Sequence, residues 1–124
     1  LETNLGGLPR ADAASALLRE AIAESPDFAL PHTYLAWALR RQLNPPEDYL
    51  PHAERGLQLS AGAPVAERYF VRGSFLQMRS QVTGAMADLE AALAQYRALI
   101  ELDPEHFWAL ENASLLLQSL GRGQ

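Results

Sequence analysis

The sequence predicts an all-α fold of about six helices, and three observations carry that prediction. Alanine and leucine supply 43 of the 124 residues, and both are strong helix formers. Val, Ile and Thr are few and scattered, so no segment alternates like a half-buried strand. Apolar positions instead recur three and four apart, in runs punctuated by Pro, Gly, Asn, Asp and Ser.

Taken in order, residues 1–10 read as N-terminal coil. A first helix is expected over 11–24, where Ala14, Leu17, Leu18, Ala21 and Ile22 share a side and Ser25-Pro26-Asp27 stops the run. The second is expected over 28–42, with Pro31 confined to a first turn that has no N–H bond to lose. Its centre, Tyr34 to Leu39, is apolar nearly all round, so it must be covered on more than one side. Asn44-Pro45-Pro46-Glu47-Asp48 breaks the chain and supplies acidic first-turn residues for a third helix over 46–59. Pro51 should kink that helix or mark its true start. Beyond the Ser60 to Pro64 linker a fourth helix is expected over 65–79, with Gln81 to Gly84 as a weak break. The fifth, over 85–102, carries the stripe Met86, Leu89, Leu93, Tyr96 and Ile100. Asp103-Pro104-Glu105 then signals the start of a sixth, over 106–120, which stops at Gly121.

Composition excludes several classes of function. Ten basic residues, all Arg, stand against 15 acidic ones, which argues against a nucleic-acid module. No apolar run approaches the ~20 residues that cross a bilayer, and no N-terminal stretch reads as a signal peptide. The cytoplasm is the expected compartment. Without cysteine there is no disulfide, thiolate nucleophile or Cys-rich zinc site. His32, His52 and His106 fall on three different expected helices, none with a second ligand at i, i+4, so capping or surface roles are expected and no metal. Nothing marks a phosphate loop or a strained nucleophile turn, so neither an enzyme nor a cofactor is expected.

The helices read as copies. A small residue stands three positions before a Leu at Ala36, Gly73 and Ser114, with separations of 37 and 41 residues, and a small residue there lets a partner helix come close. Ala14, Leu18, Ala21 and Pro26 are matched in spacing by Ala92, Tyr96, Leu99 and Pro104. The third helix fits this second set poorly.

On these residues, and best over Ala92 to Arg122, the chain resembles a tetratricopeptide repeat array, whose unit is a helix-turn-helix of about 34 residues. It departs from the pattern in its longer spacings, which imply longer helices or a longer turn around Ser80 to Gly84, and in Leu99 where a small Ala is usual. The texture is also similar to repeat regions of bacterial signalling and regulatory proteins. The resemblance implies a single domain over 1–124 with helix pairs 11–42, 46–79 and 85–120, stacked as a right-handed superhelix. It further implies a non-catalytic interaction or scaffold module that takes a peptide or partner helix in its concave groove. Carried over position by position, the partner-binding residues would be Tyr34, Trp37, Arg41, Phe70, Ser74, Gln77, Asn112 and Leu115, with Thr33 and Glu111 beside them. Asn112 stands where many members bond the ligand backbone, whereas the Lys and Arg carboxylate clamp is not reproduced at Tyr34 and Val71.

Plainer roles compete for the same side chains: Tyr34 and Trp37 as core, Arg40 and Arg41 as solvated surface, Phe107-Trp108 as packing between units. The sixth helix carries Phe107, Trp108, Leu110, Ala113, Leu115, Leu116, Leu117 and Leu120 with no following helix to cover them. That stripe is expected to be buried by another subunit, giving a homodimer through 106–120, by a foreign protein, or by the remainder of a longer chain, to which Leu1 in place of Met also points. The alternative function is a helical sensor segment with a small ligand between its helices.

Overall fold

The computed structural model describes residues 7–122, with side chains from 13 to 121. In that range the chain forms α1 (Gly7–Glu24), α2 (Ala29–Arg41), α3 (Pro46–Leu59), a 3₁₀ turn (Ser60–Gly62), α4 (Val65–Thr83), α5 (Met86–Leu102) and α6 (Phe107–Arg122), and no strand. The all-α expectation and its six helices hold for the described residues.

Two boundaries differ from expectation by more than two residues. α1 begins at Gly7, within the stretch read as coil, because Pro9 falls in its first turn and costs no hydrogen bond; residues 1–6 lie outside the described range. α3 keeps its expected bounds, Pro46–Leu59, with Pro51 inside the helix and not at its start. α4 runs to Thr83, four residues beyond the expected Arg79 and through most of the segment expected as a break. Gly84 ends it at φ 73°, a left-handed conformation that glycine adopts without a Cβ clash.

The chain divides into two compact units, Leu1–Ala61 and Gly62–Gln124. The expected helix pairs 11–42 and 85–120 are packed neighbours, while the expected pair 46–79 straddles the boundary between the units. In the first unit α2 packs against both α1 and α3, as its all-round apolar centre requires. Leu35, Ala36 and Leu39 are buried. The α2–α3 crossing is close at Gly56, where a Cβ would lie 2.5 Å from Thr33 Oγ1 and 3.2 Å from the Ala29 carbonyl. α2 ends in a Schellman arrangement: the Asn44 N–H donates to the Leu39 carbonyl at 3.1 Å and the Leu43 N–H to the Arg40 carbonyl at 3.0 Å. The left-handed residue there is Leu43, at φ 68°. Gln42 Nε2 donates to Ser15 Oγ at 2.6 Å and ties this end to α1.

In the second unit α5 packs against both α4 and α6. Its buried side is Ala92, Leu93, Tyr96 and Leu99, while Met86, at the head of the expected stripe, is exposed. Gly73 makes room for a ring, since a Cβ there would lie 2.7 Å from Tyr96 Cε1. Ala36 and Gly73 thus sit in close packing as expected, whereas Ser114 is exposed and receives no helix among the described residues.

Candidate functional site

Polar side chains on α4, α5 and α6 meet inside the second unit. Tyr96 Oη donates to Gln77 Oε1 at 2.7 Å, Gln77 Nε2 donates to Asn112 Oδ1 at 3.0 Å, and Asn112 Nδ2 donates to the Trp108 carbonyl at 3.0 Å. Burial pushes the Tyr96 phenol up to about 12, and its interactions with the Trp108 and Ser74 side chains act in the opposite, weaker direction. Phe70 meets the Trp108 ring edge-on at 5.8 Å between centroids.

Five of the eight expected partner-binding residues are buried in this geometry. Phe70, Ser74, Gln77 and Asn112 are buried between the helices of their own unit, because the α4 side that was assigned to an open groove packs against α6. Asn112 spends its amide on its own helix and on Gln77 rather than presenting it to a ligand. Trp37 is buried too, with the Arg40 guanidinium 5.7 Å from its ring centroid, and Thr33 is fully buried. Tyr34, Arg41, Glu111 and Leu115 remain exposed.

The histidines divide. His106 precedes α6 and its Nδ1 accepts the Ala109 N–H at 3.2 Å, a capping role that periodicity had assigned to Asp103-Pro104-Glu105. Asp103 instead accepts the Glu105 N–H through Oδ1 at 3.2 Å. His32 donates from Nε2 to the Pro26 carbonyl at 3.0 Å and stacks on His52, centroids 6.3 Å apart. Their separation in sequence gave no sign of that contact. Burial first, then Arg19 and His32, hold the His52 imidazole below its ordinary 6.5. Among the described residues no three His, Asp or Glu side chains converge as a metal site would require, and no helix is long and apolar enough to cross a membrane.

Exposed apolar side chains occur in both units, among them Leu17, Phe28 and Leu43 in the first, and in the second they gather on α6. Ala109, Ala113 and Leu116 face inward, whereas Phe107 is 73% exposed, Leu110 44% and Leu117 47%. Next to this row a groove of about 690 Å³ runs between α5, at Met86, Glu90, Ala94 and Arg97, and α6, at Leu117, Leu120 and Gly121. A second groove, about 480 Å³, is lined by Gln77, Gln81, Leu89, Leu115, Gln118 and Ser119. The α6 row was readable from periodicity; the α5 wall was not, because its exposed residues are Met, Glu, Ala and Arg and carry no apolar stripe. No family model, characterised relative or solved structure matches the chain.

Proposed function

We propose that this chain is a non-catalytic protein-interaction module of the tetratricopeptide-repeat kind, and that it receives an amphipathic helix on its α5–α6 face. The observation that carries this reading is the groove between α5 and α6, walled on α6 by Leu117 and Leu120, with half-exposed Leu110 further along the same helix. Full burial of such a side chain contributes about 1.5–3 kcal/mol relative to leaving it in water. Leu110, Ser114, Leu117 and Gly121 recur three and four apart, which is the ridge a second helix packs against. The hairpins α2–α3 and α4–α5, each closed at a glycine, support the repeat reading.

The test is heteronuclear NMR of the chain titrated with a synthetic leucine-faced amphipathic peptide. Saturable shifts at Ala94, Leu117 and Gly121, lost in Leu117→Glu, are expected. Shifts that do not saturate, or that persist in Leu117→Glu, would overturn the reading.

A further inference from the structure

We infer that the α5–α6 face docks on the same face of a second copy of this chain, whose own α5 and α6 are the helices received, related by a two-fold axis that crosses α5 and α6 at their midpoints. This rests on the reading that the face docks a helix, and adds the identity of the partner. On α5 the exposed residues bordering the groove include Glu90, Ala94 and Arg97. Glu90 and Arg97 stand two turns apart, about 10 Å along the axis, and neither makes an ion pair among the described residues. Their midpoint lies between Leu93 and Ala94. Turning α5 end over end about that point sets Glu90 against Arg97 of the copy, and Arg97 against Glu90 of the copy.

The α6 row has the same reversal built into its sizes. It reads large, small, large, small along Leu110, Ser114, Leu117 and Gly121, all four exposed. Reversed about the point between Leu115 and Leu116, Leu110 meets Gly121 of the copy and Leu117 meets Ser114 of the copy. Each leucine then has a small residue to receive it.

The two reversals share one axis. α5 ends at Leu102 and α6 begins at Phe107, and each midpoint lies between eight and nine residues from that helix end. Because α5 and α6 are packed neighbours joined by a short turn, they run antiparallel, and both midpoints sit at one height, about 13 Å from the turn. A two-fold axis drawn across both helices at that height lays α5 on α5 and α6 on α6, antiparallel, and satisfies the charges and the sizes together. Such an isologous contact is self-complementary by symmetry. Two helices about 25 Å long and about 10 Å apart offer roughly 500 Å² per copy. The total, roughly 1,000 Å², stands at the lower bound for specific association.

The experiment is sedimentation velocity of the whole chain from micromolar to millimolar concentration, with Glu90→Arg, Arg97→Glu and an equimolar mixture of the two. Both residues are exposed, so circular dichroism should show all three samples folded. The parent chain should dimerise, and each variant alone should do so about tenfold or more weakly, because a substitution is counted twice across the axis. The mixture should recover the dimer, since every contact then pairs an Arg with a Glu. A monomer at all concentrations, or a dimer indifferent to both substitutions, overturns the inference. If the chain stays monomeric yet the leucine-faced peptide still titrates into the groove, the second copy is wrong and the helix-docking reading stands; if both fail, both fall.

Discussion

Each unit closes a helix pair at a glycine, and the two glycines make room for different things. At Gly56 the would-be Cβ points at Thr33 Oγ1 and at the Ala29 carbonyl, so the missing side chain lets two helix backbones approach. At Gly73 all three nearest atoms belong to the Tyr96 ring, so the missing side chain is a socket. The first arrangement sets a distance between helices. The second holds a phenol that organises Gln77 and Asn112, and with them the seat of α6. A small residue at a repeated position therefore says that something comes close, without saying whether it is backbone or ring.

The largest expected effect separates the units at alkaline pH. Burial pushes the Tyr96 phenol from its ordinary 10.0 up to about 12, so the folded state holds its proton more tightly than the unfolded chain does. The second unit should keep this stabilisation below pH 10 and lose about 3 kcal/mol of it as the pH rises from 10 to 12. Trp108 fluorescence in a Trp37→Phe background reports that unit alone. Tyr96→Phe should abolish the slope and cost about 1–2 kcal/mol at neutral pH, since Gln77 Oε1 loses its donor; an unchanged slope would show that another group is responsible.

Next in size come the glycines themselves. Gly56→Ala and Gly73→Ala should each cost about 1–3 kcal/mol by overpacking. Only Gly56→Ala should be relieved by a single trimmed hydroxyl, through Thr33→Ala, because a ring cannot retract as Thr33 Oγ1 can be removed. Urea denaturation of the four variants measures this, and relief of neither glycine variant would break the distinction between spacer and socket.

The helix ends offer a smaller contrast. α2 closes on Leu43 and α4 on Gly84, both left-handed. Leu43→Gly should stabilise the first unit by about 1 kcal/mol, and Gly84→Ala should cost the second a similar amount. Thermal unfolding that moves both variants in the same direction would refute the comparison.

The smallest effect is expected at acid pH. His52 releases its proton more readily when folded than when unfolded, so the first unit should lose stability as the pH falls below 6.5, until the folded imidazole is itself protonated. His52→Gln should flatten this decline, read from Trp37 fluorescence in a Trp108→Phe background. The units would then weaken at opposite ends of the pH range.

Most of the fold was legible because its signals are local. Pro26, Pro46, Pro64 and Pro104 bracket helices whose extents follow from bond geometry within a few residues. The exposed row on α6 was legible for the same reason. The α5 wall was not, since Glu90, Ala94 and Arg97 look like any solvated helix face until α6 is placed beside them.

By itself, then, the sequence determined six helices, an α2 covered on several sides and an α6 with apolar residues to spare. Each of these follows from spacing along one helix. Only the tertiary structure decided that Gln77 and Asn112 bond each other inside the second unit, that His32 stacks on His52, and that α4 continues to Thr83. A polar side chain reads the same on paper whether it faces a ligand, water or another amide. What separates those fates is which helix packs against it, and that is set by contacts 20 to 35 residues away along the chain.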